Sequence, residues 1–595
     1  MDPQIPFQEA VTSLLTSVLE AVDIEYPAEL VPAAPGFGDL AFPCFPLAKV
    51  LRKSPVSIAT DLMDACNRLL AGDSYPHIEK VEAAQGYLNF YFNERALMEK
   101  TLEMIITMLQ DYGSGDDQGI SIILEHTSAN PNGPFHVGRA RNPIIGDTLG
   151  RILKFAGYRV TTEYYVNDMG KQAVTLAWGV GNLADAPPSS LHSDLGVRNI
   201  VSKHDHRLVP YYQQASSLMD KDVKVKNTIN SMLEAYENGD RTVGENVQKN
   251  CDLVLDGMKE TLKLLNVQLD GFKYESKFVF NGDVQQIIEI LKKSPHSDED
   301  EGAFYLDLEP FGVHGRDTRF FFTRAGGTSL YTTRDLAYHQ DKFKRADRVV
   351  NILGEDHKLQ AQQLGIALGE LGEERRPEPI FYSFVSLPEG KMSTRKNRVV
   401  YLDNLLEEAN QMALYAVKEK RPELAETDQN RIARLVAIGA VRYNIIRVQM
   451  EKGIIFKWEE ALNFEGDSAP FIQYTHARAC SILKKGNFEE TDDGTPEHFF
   501  QFGDTWYQNN EEIHLIRLLS RFPGIVRMCG DSLKAHPLAS YLRDLAQQFN
   551  QFYRECPVLM TDGDIRESRL YLVKCFTLVI ANGLALLGIE APDSM

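Results

Sequence analysis

The stretch ISIILEHTSANPNGPFHVGRARNPIIGDTLGRILKFAG, residues 120–157, decides the fold because it combines a strand, a loop and a helix. ISIILE (120–125) is a mostly apolar run that ends in a carboxylate, which is typical of a buried strand in a parallel sheet. NPIIGDTLGRILKFAG (142–157) places its apolar residues on one helical stripe, and Gly157 is a suitable glycine stop. The loop between them is too rich in Pro and Gly to be helix or strand itself.

Later apolar runs repeat this alternation of strand and helix. They are YRVTTEYYV (158–166), RVVNILG (348–354) and IFYSFVSL (380–387). Buried strands separated by helical segments predict an α/β protein with a doubly wound parallel sheet of the Rossmann type. A polar, mostly helical insertion is expected at about 173–270, and FYLDL and RFFFTR predict a small antiparallel addition.

The segments on either side of this α/β unit predict two further domains. Residues 1–115 combine helical spacing with an alternating strand, GYLNFYF, and predict an α+β domain that ends in the turn-rich linker 111–119. Ser54 and Pro55 are suited to begin a helix as its N-cap and first residue. Toward the C-terminus strand signals nearly vanish, and long amphipathic helices predict an all-α bundle. The predicted domains are 1–115, 116–404 and 405–595.

Composition excludes several classes of protein. The chain of 595 residues carries 63 Lys and Arg against 83 Asp and Glu, a net charge of −20, so only a local basic face would suit nucleic acid. No apolar run approaches the roughly 18 residues of a membrane span. Asp2 and Glu9 stand where a signal peptide carries positive charge, which predicts a cytoplasmic protein. The seven scattered cysteines predict neither a disulfide framework nor a zinc ribbon.

The loop HTSANPNGPFHVGRARN (126–142) is a candidate phosphate site. Ligands of open α/β sheets bind beyond the carboxyl ends of the strands, and helix N-termini attract phosphate through free N–H groups. Gly138 lets a nucleotide approach the backbone, His136 can donate a hydrogen bond, and Arg139 adds positive charge. The alternative is a Pro-rich structural loop with an incidental histidine.

A second cluster, KMSTRKNRVVYLDNLLEEA (391–409), opens with four cations in eight residues. They are Lys391, Arg395, Lys396 and Arg398. On a chain of net charge −20, such a loop is suited to clamp a triphosphate as charge develops on it. The alternative is a solvated charged loop.

Together the two clusters resemble the two signature motifs of class I aminoacyl-tRNA synthetases. Five longer stretches are similar to arginyl-tRNA synthetases, in particular those of archaeal type: SANPNGPFHVGRARN, YYVNDMGKQ, LYTTRDLAYH, MSTRKNRVVYLDNLLEEA and NFEGDSAPFIQYTHAR. The resemblance extends from about residue 36 to 595. It implies that arginine and ATP form arginyl-adenylate and that arginine then passes to the 3′ end of tRNA(Arg). It also implies Mg²⁺ with the ATP, and we expect a monomer.

The resemblance implies roles for residues at matching positions of this sequence. The implied catalytic residues are His136, Arg139, Lys391 and Lys396. The implied ATP-binding residues are Asn132, Pro134, His136, Gly138, Met392, Ser393 and Arg395. The implied L-arginine-binding residues are Glu125, Asn130, Glu275, Tyr331, Asp335 and His357. The implied tRNA-binding residues are Asn89, Phe92, Tyr474 and Met595, and no residue is implied as a metal ligand. Weaker candidates for phosphate contacts are Arg517, Arg521 and Arg527.

Elementary chemistry agrees with the implied arginine pocket. A guanidinium binds carboxylates in its own plane, and Tyr331 and Asp335 are four residues apart, so on a helix they share a face. Two departures from the family pattern stand out. Arg139 occupies the usual histidine position of the first motif, and Thr394 the usual lysine position of the second. It stays open which of the cations at 391–396 meets the phosphates.

Two other functions are compatible with parts of the sequence. A degenerate synthetase would bind tRNA or arginine without catalysis, and Arg139 and Thr394 favour that reading. A nucleotidyltransferase that adenylates a small acid would share the phosphate motifs, but it would not need the N-terminal domain or a helical bundle of about 190 residues.

Overall fold

The computed structural model describes residues 2–34, 36–72, 74–184, 202–315, 318–386, 401–489, 507 and 509–595. The strands are β1 Val31–Pro32, β2 Leu40–Pro43, β3 Ile78–Ala84, β4 Tyr87–Phe92, β5 Ser121–Glu125, β6 Arg159–Val166, β7 Gly271–Tyr274, β8 Ser297–Asp300, β9 Ala303–Asp307, β10 Arg319–Phe321, β11 Arg348–Gly354, β12 Glu378–Tyr382, β13 Val385–Ser386 and β14 Ile454–Ile455.

Helices make up most of the described chain. They are α1 Ile5–Ala21, α2 Phe45–Leu51, α3 Pro55–Leu70, α4 Glu94–Met108, α5 Arg141–Phe155, α6 Lys171–Asn182, α7 His204–Lys221, α8 Val223–Glu237, α9 Arg241–Leu264, α10 Glu275–Phe280, α11 Asp283–Leu291, α12 Tyr331–Arg345, α13 Lys358–Glu370, α14 Leu402–Lys420, α15 Glu426–Ile446, α16 Trp458–Ala461, α17 Ala469–Gly486, α18 Asn510–Ser532, α19 His536–Glu555 and α20 Gly563–Leu586.

The central element is a five-stranded parallel sheet with the order β12-β11-β5-β6-β7. β5 lies in the middle, which agrees with its apolar run, and β6 and β11 pair with it on either side. The doubly wound sheet predicted from the sequence is therefore confirmed. The predicted strand 380–387 is wrong in one respect, because it divides after Tyr382 and its second part, β13, pairs with β14 outside this sheet. The division falls where the Ser383 carbonyl accepts a hydrogen bond from Arg141.

Helix α5 follows β5 and packs on the sheet as the apolar stripe predicts. Ile144, Leu149 and Ile152 are fully buried. The helix is followed by Gly157, whose φ of +93° is left-handed, and a Cβ there would lie 1.9 Å from the Asp116 carbonyl oxygen. Only glycine fits this turn, which returns the chain to the sheet at β6.

The N-terminal domain has a core of its own under the antiparallel sheet β1-β2-β4-β3. Helix α3 begins as the sequence predicts, because Ser54 accepts a hydrogen bond from the Ser57 amide and Pro55 is the first helical residue. The domain meets the C-terminal bundle through Arg517, which pairs with Asp39 at 3.0 Å and with Glu94 at 2.9 Å.

The C-terminal helices share one continuous apolar core with the parallel sheet. A buried ion pair joins the two, because Arg442 of α15 lies 2.6 Å from Asp147 of α5. In the described chain one helix, α20, is long and apolar enough to cross a membrane, but 78% of its apolar window is buried inside the protein. Such burial is what the inner helix of a bundle requires.

The insertion is helical, as expected, and it builds a separate apolar cluster from α6, α7, α8 and α9. The antiparallel addition is also present, as the sheet β10-β9-β8. Between the insertion and this addition lie β7 and α10, which carry Glu275 to the edge of the parallel sheet.

Candidate active site

The loop after β5 is held in a conformation that ordinary residues rarely adopt. Thr127 has a φ of +74° and Ser128 a φ of +32°, and both are left-handed. The Thr127 amide donates to Asn142 Oδ1 at 2.7 Å, and Asn142 Nδ2 donates to the Ile352 carbonyl at 3.0 Å. Asn142 of α5 thus joins the carboxyl ends of β5 and β11 and fixes the loop at the sheet edge.

The first signature segment leads into α5 through one turn of 3-10 helix, Val137–Arg139. His136 and Arg139 are exposed, whereas Pro134 is buried. Partial burial of the imidazole, together with the positive charge of Arg139, lowers the pKa of His136. A Cβ at Gly138 would lie 3.8 Å from the Val385 carbonyl oxygen, so the described neighbours leave the backbone accessible there.

Two amides of the segment are held by a single side chain. Asn130 Nδ2 and Asn132 Nδ2 donate to Gln172 Oε1 at 2.8 and 3.0 Å. Gln172 belongs to YYVNDMGKQ, so this stretch contacts the signature loop directly. Both asparagines line a small cavity of about 240 Å³.

A second cavity, of about 270 Å³, opens at the carboxyl ends of β5 and β11. Its wall contains five of the six residues predicted to bind arginine, and also the predicted catalytic residue Arg139: Glu125, Glu275, Tyr331, Asp335, His357 and Arg139. The sixth, Asn130, lines the neighbouring cavity, which shares Tyr331. The structure therefore brings together residues that lie up to 232 positions apart between Glu125 and His357.

Glu275 is the most deeply buried acid of this cavity, with 1% of the residue exposed. Its Oε1 lies 3.3 Å from Arg334 Nη1, while its Oε2 has no hydrogen-bond partner among the described residues. Burial raises the pKa of Glu275 to about 7, although Arg334 opposes the shift. A buried carboxylate oxygen without a donor is costly unless a ligand supplies one.

Asp335 and Tyr331 share one face of α12, as their spacing predicts. The Asp335 side chain is 39% exposed and lies 3.1 Å from His339 Nδ1, and Tyr331 is 60% exposed. Burial acts to raise the pKa of Asp335, but the neighbouring His339 and Lys342 lower it overall. The carboxylate is therefore held in its charged form.

Glu125 ends β5 and is engaged on both oxygens. Its Oε2 pairs with Lys342, and its Oε1 accepts a hydrogen bond from Ser128 Oγ at 2.9 Å. Ser128 Oγ also accepts from the Tyr165 amide at 3.0 Å. The left-handed backbone at Ser128 thus orients the first acid of the cavity.

Sequence reasoning missed several residues that build the site. Lys342, His339 and Asn351 form the floor behind Glu125 and Asp335. Arg141 donates to backbone carbonyls of Ser383, Lys452, Val448 and Gln449, and burial lowers its pKa to about 10. His339 lies in the stretch LYTTRDLAYH and Arg141 in HVGRARN, both of which resemble the family. Nothing in the local pattern of either stretch reveals these contacts.

The site residues predicted from the second signature motif lie outside the described residues. They are the cations Lys391, Arg395 and Lys396 and their neighbours Met392 and Ser393. The chain on both sides of that segment is described. Tyr401 forms an antiparallel bridge with His136, and the Leu402 amide donates to the Phe135 carbonyl at 2.7 Å. Val385, at the other side, lies next to Gly138.

None of the residues predicted to bind tRNA lines this cavity. Asn89 is 3% exposed and lines a hollow of about 270 Å³ beside Phe37. Phe92 lies in the N-terminal core, where its ring centre is 5.3 Å from that of Phe7. Little of the Phe92 ring is therefore accessible for stacking. Tyr474 is 41% exposed, with the Arg478 guanidinium 4.9 Å from its ring centre. The Met595 carbonyl accepts from Arg421.

The weaker arginine candidates differ from the expectation. Arg517 is committed to Asp39 and Glu94, and Arg527 pairs with Asp2 at 3.1 Å. These two arginines join the N-terminal domain to α18. Arg521 lines the groove between the same two domains.

Comparison with known proteins agrees with this architecture. The family model described as tRNA synthetases class I (R), catalytic domain, matches residues 102–458. The Arginyl tRNA synthetase N terminal domain matches residues 7–92, and the DALR anticodon binding domain matches residues 472–595.

Individual relatives match over nearly the whole chain. The arginine--tRNA ligase of Methanocella arvoryzae is 42% identical over 93% of this chain and 92% of its own length. That of Methanothermobacter thermautotrophicus is 40% identical over 98% of both. The solved structure of Thermus thermophilus arginyl-tRNA synthetase has a TM-score of 0.77 at 27% identity and covers 99% of this chain and 100% of its own.

In this chain the central strand of a parallel sheet leads through the HVGR segment into a helix. An acid-lined cavity opens at the sheet edge, and a helical bundle packs behind it. These features together define a class I aminoacyl-tRNA synthetase. Within that class the chain belongs to the arginyl-tRNA synthetases. It activates arginine with ATP and charges tRNA(Arg), as the sequence predicts.

Proposed function

We propose that the 270 Å³ cavity binds arginine between two groups of acids. Glu275, Asp335 and Tyr331 receive the guanidinium, while Glu125 and Asn130 face the α-ammonium group. The observation that carries this assignment is Glu275 Oε2, a buried carboxylate oxygen without a donor in the described structure. A planar guanidinium presents several N–H donors in fixed directions and suits that oxygen better than a mobile ammonium does.

ATP binds, in this proposal, at the N-terminus of α5. His136 and the backbone at Gly138 contact its phosphates, Arg139 adds positive charge, and Asn132 and Pro134 shape the loop. A lowered pKa keeps His136 neutral near pH 7, so it acts as a hydrogen-bond donor. His357 contacts the substrates from the rim of the cavity.

The family resemblance assigns the other side of the triphosphate to Lys391 and Lys396, with Met392, Ser393 and Arg395 beside them. The described flanks of that segment support the assignment, because both lie next to the 136–139 turn. Charge accumulates on the leaving pyrophosphate, and cations held there stabilise the transition state.

The chemistry asks for positioning rather than covalent help. A carboxylate oxygen of arginine attacks the α-phosphorus, the bond to the bridging oxygen breaks, and pyrophosphate leaves with the electron pair. A terminal ribose hydroxyl of tRNA then attacks the arginyl carbonyl carbon, and AMP leaves. Holding the reactants in line is what the two signature segments contribute.

Mg²⁺ would accompany ATP and neutralise charge on its phosphates. Among the described residues, two clusters of side chains have metal-ligand geometry, and neither lines the arginine cavity. One consists of His476, Cys480 and Asp593, and the other of Asp205, His206 and Asp403. The phosphates and water therefore supply most of its ligands in this proposal.

For tRNA, we propose that Asn89, with Phe92 on the same strand, reads an unstacked base, and that Tyr474 and the chain end at Met595 contact the anticodon region. Amide and aromatic side chains suit unstacked RNA bases. We also propose a cytoplasmic monomer, which sedimentation velocity of the purified full chain can test.

The deciding experiment is aminoacylation of unfractionated tRNA with each of the twenty amino acids. We expect arginine alone to be accepted, and only when tRNA and ATP are both present. Binding of arginine without its transfer would support a degenerate synthetase, and adenylate formation without any transfer would support a small-acid nucleotidyltransferase.

A further inference from the structure

Three buried polar side chains that the proposed chemistry does not use connect Glu125 to Asp335. Lys342 pairs with Glu125 Oε2, and its Nζ lies 2.9 Å from Asn351 Oδ1. Asn351 Nδ2 lies 2.7 Å from His339 Nε2. His339 Nδ1 lies 3.1 Å from Asp335 Oδ1. The three residues come from α12 and β11, while Glu125 ends β5.

The hydrogen bonds of this network have only one consistent direction. A lysine ammonium only donates, so Asn351 Oδ1 accepts, and its Nδ2 must donate to His339 Nε2. His339 then carries its proton on Nδ1 and donates it to the Asp335 carboxylate and to the Asp335 carbonyl, which is 2.9 Å away. Both acids are thus the accepting ends of one polarised network.

The lysine at which the network begins is enclosed by protein. Lys342 is 0% exposed, and its Nζ lies 4.1 Å from the ring centre of Tyr338. Tyr338 stacks on Tyr165 at 4.5 Å, and Tyr165 lines the cavity. An ammonium buried to this degree keeps its place only through its partners, so the positions of Glu125 and Asp335 are coupled through it.

We propose that Lys342, Asn351 and His339 are positioning residues that set the separation between the α-ammonium site at Glu125 and the guanidinium site at Asp335. This inference rests on the proposed function of those two acids. A substrate must reach both acids at once, so a fixed separation selects a basic amino acid by the length of its side chain. Homoarginine, which carries the same two charged ends on a longer chain, is therefore the informative competitor.

The test uses substitutions at His339, because Lys342→Met removes the cation that pairs with the mostly buried Glu125 and can unfold the domain. His339→Leu removes the hydrogen bonds that the imidazole makes with Asn351 and Asp335. His339→Gln keeps one donor and one acceptor on a side chain of similar reach. The matched control is Lys344→Met on the same helix, which changes an exposed lysine that does not line the cavity.

Steady-state aminoacylation by the full chain with tRNA gives KM for arginine and ATP and the kcat/KM ratio of arginine to homoarginine. We expect His339→Leu to raise KM for arginine about tenfold and to reduce the preference over homoarginine about tenfold, with KM for ATP unchanged. His339→Gln should restore both values to within about threefold of the wild type. Lys344→Met should leave the Tm and both kinetic values unchanged.

Equal behaviour of His339→Leu and His339→Gln would overturn the inference, because a ring that only fills space is replaced as poorly by Gln as by Leu. A preference over homoarginine that survives His339→Leu would overturn it as well. Both results leave the proposed function intact if Asp335→Ala still abolishes arginine activation. Normal activation by Asp335→Ala would instead remove the arginine site itself.

Discussion

His136 and Tyr401 form an antiparallel β-bridge, and their rings lie 5.7 Å apart. The bridge places Tyr401 of the second signature stretch against the histidine of the first, although 265 positions separate them. Because the bridge uses backbone atoms, it leaves the His136 imidazole available for the phosphate contact that we propose.

The first prediction concerns that imidazole. His136→Ala should lower the rate of arginine-dependent ATP–pyrophosphate exchange, measured with tRNA present, by about 100-fold, which is typical for loss of one preorganised donor. The Tm should not change, because the bridge to Tyr401 is kept. His204→Ala, which alters an exposed histidine at the start of α7, serves as the control. A rate within twofold of the wild type would exclude His136 from phosphate binding.

Asp335→Ala should abolish arginine activation while the fold survives. The variant removes a charged acceptor for the guanidinium, and a charge-assisted hydrogen bond contributes about 1.5–3 kcal/mol. Any residual activity should show a KM for arginine at least tenfold higher, with KM for ATP unaffected. Asp341→Ala changes a carboxylate of the same helix that pairs with Arg345, and it should stay active. Exchange at the wild-type rate in the Asp335 variant would place the guanidinium elsewhere.

The acidity of Glu275 makes arginine binding dependent on pH. Its pKa of about 7 means that the carboxyl group gains a proton as the pH falls below neutrality, and the protonated form attracts the guanidinium less. KM for arginine should rise about five- to tenfold between about pH 7.5 and about pH 6. Because His357 also lines the cavity, the comparison needs Glu275→Gln, whose KM should be high and nearly independent of pH. An unchanged slope in that variant would assign the titration to another group.

The burial of Glu275 that favours arginine binding also lowers the stability of the fold when the carboxyl group is charged. The folded pKa of Glu275 is raised from 4.5 to about 7, so below pH 4.5 the shift has no effect on stability. Between these values the unfolded chain loses its proton first, and stability falls as the pH rises. Glu275→Gln should therefore raise the free energy of unfolding at about pH 8 by at most about 3 kcal/mol, and the Tm with it, whereas at about pH 4 it should have little effect. A lower Tm at both values would show that the pair with Arg334 outweighs the burial.

Features of the fold that depend on local sequence patterns could be predicted, whereas those that depend on contacts between distant residues could not. Helix α5 and strands β5, β6 and β11 were predictable because their apolar periodicity is local. Strand β7 was not recognised, because four residues carry too little pattern. Its neighbour Glu275 was identified through family resemblance alone.

Long-range contacts account for what the sequence could not supply. Lys342 contacts Glu125 across 217 positions, and nothing in LAYHQDKFK distinguishes this lysine from Lys344 two residues later. From sequence, Arg517 is only a weak candidate for a phosphate contact. Its partners, Asp39 and Glu94, belong to another domain, and only the docking of that domain reveals them.

The buried pair of Arg442 and Asp147 gives the last prediction. Arg442 is fully buried, lies 2.6 Å from Asp147, and donates to the Leu587 carbonyl at 2.7 Å, so it joins the bundle to α5 behind the signature turn. Arg442→Met should destabilise the protein by about 3–5 kcal/mol, because Asp147 and the carbonyl lose a buried donor. Differential scanning calorimetry should show a lower Tm.

The control for Arg442 is Arg434→Met, an exposed position of the same helix, which should leave Tm within about one degree of the wild type. Because α5 also carries Asn142, which fixes the loop after β5, Arg442→Met should raise KM for both arginine and ATP before global unfolding begins. A variant that lost stability but kept both KM values would show that the bundle supports the fold without positioning the active site.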